Sequence, residues 1–166
     1  YGLHKLKSEI ELERWTIKTK KIAIAIRLSG MHGKDRKSGV IYNFYKSAVI
    51  NKKIVVKKPY YYYSFLFFED AVNACYSILE KQKISGYNLY NISGMHIINL
   101  KDLASKIKNN LENKGRVLLK ISCDNIVNYS TLSIKKALSE LDWKPKSFDL
   151  RLVETCKYWN KNDFRK

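Results

Sequence analysis

Residues 22–33 of the chain read IAIAIRLSGMHG, and this stretch decides the fold. Isoleucine and alanine alternate from Ile22 to Ile26 with no polar residue between them. A short run that is apolar throughout predicts a strand covered on both faces, as in a parallel sheet. Gly30, Gly33 and the charged residues around them predict a loop over residues 27–38, which leaves the carboxyl end of the strand.

The residues before this strand predict a helix over residues 2–19, because apolar side chains recur near helical spacing. Tyr1 and Lys5 stand four residues apart, so on a helix they project from one face. A neighbouring ammonium favours the phenolate form of a tyrosine, which can then act as a general acid or base. Tyrosine and lysine are abundant in this chain, so the spacing alone also fits a chance pair on a structural helix.

After the loop, helical and strand patterns alternate. Helical patterns cover residues 39–51, 69–81, 100–111, 134–141 and 150–159, and strand patterns cover residues 54–56, 65–68, 87–92 and 117–121. Asp70 and Asn99 stand where two of these helices begin, and both are suitable N-caps. The order predicts a mixed α/β chain, and it begins within a unit because the first helix has no strand before it. We therefore expect the end of a doubly wound domain followed by a small α/β domain.

The composition narrows the class of protein. Apolar residues make up 45% of the chain, which predicts a packed core rather than disorder. No apolar run approaches the roughly 18 residues that a membrane-spanning helix needs, and we expect no membrane partner. The chain begins at Tyr1 without a methionine or a secretory signal, and we expect that residues upstream have been removed.

The net charge of +17 has two interpretations. A basic chain can bind nucleic acid through its phosphates, but the excess here is mostly lysine and is scattered along the chain. A general enrichment of lysine at surface positions explains the scattered charge better, so we expect nucleic acid not to be a partner. A basic surface still attracts anionic substrates.

The cysteines Cys75, Cys123 and Cys156 lie far apart, and the histidines are equally dispersed. This pattern predicts neither a disulfide framework nor a metal site, and a reducing, cytoplasmic setting is the natural expectation.

Four segments together resemble the extended short-chain dehydrogenase/reductase family, also called the NAD-dependent epimerase/dehydratase family. After the Tyr-x-x-x-Lys pair, residues 27–33 resemble the family's Arg-x-x-Asn-x-Tyr-Gly signature, and residues 64–74 resemble its Arg-Asp-Phe-x-x-Val-x-Asp-x-x-x-Ala stretch. Residues 87–94 resemble its Tyr-Asn-Ile-Gly-x-Gly strand and turn, and residues 133–145 resemble its Lys-Ala-x-x-x-Leu-Gly-Trp-x-Pro element. The matches are ordered and span nearly the whole chain, which is specific for the family and not for one member.

The resemblance implies a C-terminal half of a nucleotide-sugar epimerase, dehydratase or reductase that starts at its catalytic tyrosine. Its fold would be the C-terminal part of a Rossmann-type doubly wound domain (residues 1–38) plus a small α/β substrate-binding lobe (residues 39–166). Residues 65–81 would return to the Rossmann domain. The longer protein would use NAD or NADP, bind a nucleotide sugar and could form a homodimer.

The resemblance also implies roles for individual residues. Tyr1 would be the catalytic acid/base, and Lys5 would hold the nicotinamide ribose and tune Tyr1. The loop after the first strand would close over the cofactor and the substrate. In that loop Ser29 and Met31 would face the cofactor, and the remaining residues would contact the substrate: Gly30, His32 and, from a later segment, Tyr63.

The chain departs from the family pattern at several of these positions. Gly30 replaces a substrate-facing asparagine, His32 stands where tyrosine is common, and Tyr63 with Ser64 replaces an Arg-Asp pair. The usual diphosphate-binding arginine is therefore lost there, and the tyrosines can equally be ordinary packing residues. The glycine-rich turn that binds a dinucleotide pyrophosphate is absent from these residues. A non-catalytic remnant or interaction module of the same fold therefore stays an alternative, and we expect the 166 residues alone to be inactive.

Overall fold

The structure is a computed structural model that describes residues 1–81, 84–111 and 114–163. Its helices are α1 (Gly2–Thr19), α2 (Gly39–Asn51), α3 (Phe68–Glu80), α4 (Leu100–Asn109), α5 (Lys135–Glu140) and α6 (Phe148–Asn162). Its strands are β1 (Ala23–Leu28), β2 (Met31–His32), β3 (Lys53–Val56), β4 (Tyr61–Ser64), β5 (Leu66–Phe67), β6 (Tyr87–Ile92), β7 (Ile97–Asn99), β8 (Leu118–Ile121) and β9 (Asn128–Ser130).

Strands β1 and β6 form a parallel pair with Ala23 opposite Tyr87 and Leu28 opposite Ile92. Helix α1 packs on both strands, and α5 packs on β6. A hydrophobic core lies beside this pair and is named here the β1–β6 core. Its buried residues are Leu66, Ala71, Ala74, Ile78, Tyr90, Ile92, Ile134, Ala137, Leu141 and Trp143.

A second hydrophobic core, named here the α2–α6 core, is built from helices α2, α4 and α6 around the parallel pair β3–β8. Tyr45, Leu103, Leu152 and Trp159 are its large, fully enclosed side chains. The amphipathic pattern of α4 explains its place here, because Leu103 and Ile107 stand one helical turn apart and both are buried.

Strand β4 lies at the centre of a three-stranded sheet, antiparallel to β7 and parallel to β9. The short parallel pair β2–β5 adjoins the carboxyl end of β1, where the Leu66 N–H donates to the Gly30 carbonyl at 3.2 Å. Residues that follow β1 in sequence are thereby held beside residues that follow β4.

The two cores are joined by a buried ion pair. Arg151 of α6 donates to both carboxylate oxygens of Asp70 in α3, at 2.6 and 3.2 Å, and both side chains are less than a tenth exposed. The Trp143 indole N–H donates to the Asp70 carbonyl at 2.9 Å. Together these contacts fix α3 against α6.

The predicted strand over residues 22–26 is confirmed as β1, but the prediction that it is buried is wrong. Ile22 is 55% exposed, and Ala23 to Ile26 are half-buried. Within the described residues β1 pairs with β6 along one edge and has no strand on the other. Its second edge and part of its surface therefore face solvent.

Other local predictions also changed. Asp70 does not cap α3, which begins at Phe68, and its carboxylate is buried against Arg151 instead. Asn99 does cap α4, accepting the Asp102 N–H at 2.8 Å. The predicted loop over residues 27–38 contains the two-residue strand β2, whose partner β5 is distant in sequence.

Candidate active site

Tyr1 and Lys5 lie together at the start of helix α1. Tyr1 is the N-cap residue and is 93% exposed, and the Lys5 ammonium is 5.5 Å from the centroid of the Tyr1 ring. The Lys5 N–H donates to the Tyr1 carbonyl at 3.1 Å, which closes the first helical turn. The structure thus places both functional groups on one open face of the helix.

Helix α1 is attached to the carboxyl end of β1 by the ion pair between Glu9 and Arg27. The guanidinium donates to both carboxylate oxygens, with Nε–Oε1 at 2.9 Å and Nη2–Oε2 at 2.5 Å. The hydrogen bond from Arg27 lowers the pKa of the Glu9 carboxyl. Tyr1 precedes Glu9 by two turns, about 12 Å along a helix axis. Helix α1 ends at Thr19, β1 begins at Ala23, and Glu9 meets Arg27, so the two elements run in opposite directions and the Tyr1 end of α1 lies beyond the carboxyl end of β1.

A cleft of about 380 Å³ opens at this carboxyl end. It brings together Ser29, Gly30 and Tyr63, three of the residues predicted to contact cofactor or substrate. The described residues that line it are Leu28, Ser29, Gly30, Tyr63, Ser64, Phe65, Tyr129, Ser130, Thr131 and Leu132. They carry hydroxyl groups and aromatic rings, and none of them is a lysine, an arginine or a carboxylate. The cleft therefore suits an uncharged, hydroxylated ligand better than a diphosphate.

Met31 and His32 line a different cavity, of about 250 Å³, together with Phe68 and Glu69 from the start of α3. His32 is 7% exposed, and its ring packs edge-on against Phe65 at 4.9 Å between centroids. Burial, with a smaller contribution from the charge of Arg36, lowers the pKa of His32 to about 4. Its imidazole is accordingly neutral near pH 7.

Gly39 makes room for this histidine. A Cβ at position 39 would lie 3.0 Å from the Cε1 atom of His32, and its φ of +83° is unfavourable for any residue with a side chain. The predicted site residues thus divide into three groups: the pair at the start of α1, the cleft group, and the Met31–His32 pair beside α3.

The sequence did not identify Ser93, Tyr129, Ser130 and Thr131 as parts of this region. Tyr129 and Ser130 belong to β9, a three-residue strand that reaches the cleft only by pairing with β4. No periodicity or motif marks so short a strand. Ser93 is fully buried beneath the cleft, where its Oγ lies 2.7 Å from Ser64 Oγ and 2.9 Å from Ser29 Oγ.

Other kinds of site find no support in the part of the chain that the structure describes. No cluster of three or more histidine, cysteine, aspartate or glutamate side chains there could hold a metal ion. Burial raises the pKa of the Cys156 thiol to about 12, which makes it a poor nucleophile. Among these residues no helix is both long enough and apolar enough to cross a membrane.

No family model matches the chain. A curated relative, the dTDP-4-dehydro-6-deoxyglucose reductase of Escherichia coli, is 29% identical over 150 residues. That match covers 87% of this chain and 47% of the relative, so the chain spans about half the length of the curated relative it matches.

Solved structures give the same result for the fold. The UDP-N-acetylglucosamine 4-epimerase of Bacillus cereus superposes with a TM-score of 0.82 at 22% identity, covering 100% of this chain and 55% of that one. The resemblance to the NAD-dependent epimerase/dehydratase family is confirmed. A second solved structure is the dTDP-glucose 4,6-dehydratase of Bacillus anthracis in complex with NAD. It superposes with a TM-score of 0.76 at 20% identity, and the match covers 93% of this chain and 50% of the dehydratase. The predicted α/β, Rossmann-type fold of this family is therefore confirmed as well.

Proposed function

We propose that the chain is the part of an NAD(P)-dependent nucleotide-sugar epimerase, dehydratase or reductase that carries the acid/base tyrosine and the sugar side of the active site. One observation carries the proposal. The Tyr1–Lys5 pair stands on a helix that the Glu9–Arg27 ion pair attaches to the carboxyl end of β1, where the uncharged cleft opens. In open α/β sheets, ligands bind at the carboxyl ends of the strands.

Tyr1 is assigned the proton transfer. Its phenol is almost fully exposed, and an ammonium lies beside its ring, so it can reach a substrate hydroxyl or carbonyl oxygen. Lys5 has a second task in this proposal, which is to bind the ribose hydroxyls of the cofactor. NAD(P), when bound, supplies or accepts the hydride.

The exposed Tyr1 and Lys5 side chains fit this cofactor, but the glycine-rich turn for its pyrophosphate is absent from the sequence. Most contacts to NAD or NADP would therefore come from residues outside these 166. NAD is the ligand of one of the two superposed enzymes, and nucleotide sugars give their names to both of these and to the curated relative.

The residues of the loop after β1, together with Tyr63, are assigned the contacts with the cofactor and the sugar. Met31 would face the nicotinamide. Ser29, which the family resemblance assigns to the cofactor, shares the cleft with Gly30 and Tyr63 and is assigned to the glycosyl group with them, and His32 would support the loop as a neutral, buried ring rather than as an acid. The lost Arg-Asp pair and the uncharged cleft mean that the diphosphate would be held elsewhere.

The test uses the protein from the complete reading frame that contains these residues. Purified protein is assayed for NAD⁺ and NADPH binding, and for hydride transfer and sugar isomerisation with UDP-N-acetylglucosamine, UDP-glucose and dTDP-glucose. The proposal expects a nucleotide sugar to bind and turnover to depend on NAD(P). Protein that binds neither cofactor nor nucleotide sugar would contradict it and would favour the non-catalytic module of the same fold.

A further inference from the structure

Three serine hydroxyls form a connected group at the base of the cleft, whose lining includes Ser29 and Ser64 but not Ser93. Ser93 is fully buried, Ser64 is 3% exposed, and Ser29 is half-buried where the cleft begins. Ser93 Oγ lies 2.7 Å from Ser64 Oγ, 2.9 Å from Ser29 Oγ and 3.3 Å from the Ser64 carbonyl oxygen. Each hydroxyl has one proton, so these contacts cannot all be donated by Ser93.

The direction of donation within this group follows from counting protons. The Ser64 hydroxyl is buried, and its one side-chain hydrogen-bond partner is Ser93 Oγ among the residues that the structure describes. Ser64 and Ser93 can each be the donor in their contact, but only donation by Ser64 gives both buried hydroxyls an acceptor among the described residues, so the satisfied arrangement has Ser64 donating to Ser93. The Ser93 proton then has two acceptors, and Ser29 Oγ at 2.9 Å lies within the usual O–H···O range while the Ser64 carbonyl at 3.3 Å does not.

Ser29 therefore accepts from the interior, and its own proton is left to point into the cleft. Consecutive hydroxyls that donate in one direction polarise one another, which strengthens the last donor. The described residues that line the cleft carry no charge, so an uncharged ligand oxygen suits this proton as its acceptor.

We propose that Ser29 is a substrate-positioning residue whose hydroxyl donates a hydrogen bond to an uncharged oxygen of the glycosyl group, and that buried Ser93 and Ser64 fix the direction of this donor. The proposal rests on the proposed function for the class of ligand. It adds the residue that donates a hydrogen bond to the sugar, Ser29, and the two residues that orient the Ser29 hydroxyl.

The test separates binding of the sugar from binding of the nucleotide. The dissociation constants of UDP-N-acetylglucosamine and dTDP-glucose are measured by calorimetry against those of UDP and dTDP, and their ratio gives the gain in affinity due to the glycosyl group. S29A should reduce that gain by about two- to tenfold, the value of one net hydrogen bond, and leave UDP and dTDP binding unchanged. S93A should give a similar loss, and the S29A/S93A double variant should lose no more than S29A, since both changes remove one interaction.

Ser130→Ala is the matched control, because Ser130 lines the same cleft and is exposed but lies outside the group of three hydroxyls. Its effect on the glycosyl gain should be smaller. S93A removes a buried hydroxyl and can lower the melting temperature. Ser29 is half-buried, so S29A still tests whether its hydroxyl contributes to glycosyl binding.

Two negative results are distinct. A glycosyl gain in the wild type that S29A leaves intact, or an S29A effect that is equal for UDP and UDP-N-acetylglucosamine, overturns the role of Ser29 alone. A wild type without any glycosyl gain overturns the proposed function and this inference with it.

Discussion

The two hydrophobic cores of this molecule differ in how completely they exclude water. In the α2–α6 core, Tyr45 and Trp159 are 0% and 1% exposed, and β3 buries Ile54 and Val56 in it, although Val55 on β3 and Leu118 on β8 remain exposed. Around the β1–β6 core, Tyr90 and Ile92 on β6 are fully buried, yet β1 is half-buried, and α1 leaves Leu3 64% and Ile17 74% exposed. The large side chains inside the first core are enclosed by the described residues, whereas the α1 and β1 side chains around the second core are covered only in part.

The candidate site lies on the incompletely covered side. Tyr1, Lys5 and Ser29 all belong to the α1–β1 unit or to the loop that leaves it, while the α2–α6 core supplies no predicted catalytic group. Under the proposed function, the α2–α6 core provides stability and the α1–β1 unit provides the chemistry. Each of the following changes tests one side of that comparison or the joint between them.

The largest effect is expected from Tyr1→Phe, measured as turnover in the protein from the complete reading frame. Loss of a positioned proton donor or acceptor typically costs about 100- to 10,000-fold. Cofactor affinity should change little because the ring remains, whereas Lys5→Ala should reduce both turnover and cofactor affinity. Tyr76→Phe, at an exposed tyrosine of α3, is the control. Undiminished turnover in Tyr1→Phe would leave α1 with a structural role only.

Arg151→Ala should give the largest loss of stability, because it breaks the joint between the cores. It leaves the Asp70 carboxylate buried without its partner, which typically costs about 3–5 kcal/mol of unfolding free energy. The control is Lys106→Ala. It breaks the surface pair between Lys106 of α4 and Asp149 of α6, and it should cost at most about 1 kcal/mol of unfolding free energy. Denaturant unfolding measures both, and equal losses would show that the buried pair does not join the cores.

His32 predicts a pH dependence of stability. Its pKa in the folded chain, about 4, lies below its ordinary value of 6.5, so the unfolded chain binds more protons between these values. The contribution of the neutral ring is complete above pH 6.5 and is lost as the pH falls toward 4. It amounts to at most about 3 kcal/mol.

His32→Gln should remove this part of the pH dependence while the carboxylates keep theirs. Unfolding curves at a series of pH values, wild type against variant, measure the difference. Parallel profiles from pH 7 to pH 4 would mean that His32 is not held neutral by burial.

The smallest effect on stability is expected on α1, where the apolar side chains are exposed. We expect the 166-residue chain to self-associate or dissolve poorly, since the free edge of β1 and the apolar face of α1 are uncovered. Ile10→Gln should reduce this association and change the unfolding free energy by less than about 0.5 kcal/mol. Ile50→Gln, at an exposed isoleucine of α2, is the matched control. Sedimentation analysis that finds a monodisperse wild-type monomer would contradict the expectation.

Local information was enough for the helices and for strands β1, β3, β6 and β8, and for the resemblance to the family, but not for β2, β4, β7 and β9. Apolar alternation located β1, helical spacing located α2 and α4 with its Asn99 cap, and the Tyr-x-x-x-Lys spacing put Tyr1 and Lys5 on one face. These features depend on residues within a few positions of one another, so local sequence patterns are enough to predict them.

The cleft and the joint between the cores were decided by the tertiary structure. Ser29, Ser64 and Ser93 meet across separations of 29 and 64 residues, and Arg151 finds Asp70 across 81. The half-exposure of β1 likewise depends on which strands pair with it and not on its own apolar sequence. Hydrogen bonds and burial of this kind arise only when distant segments pack, and no local pattern in the sequence encodes the partner.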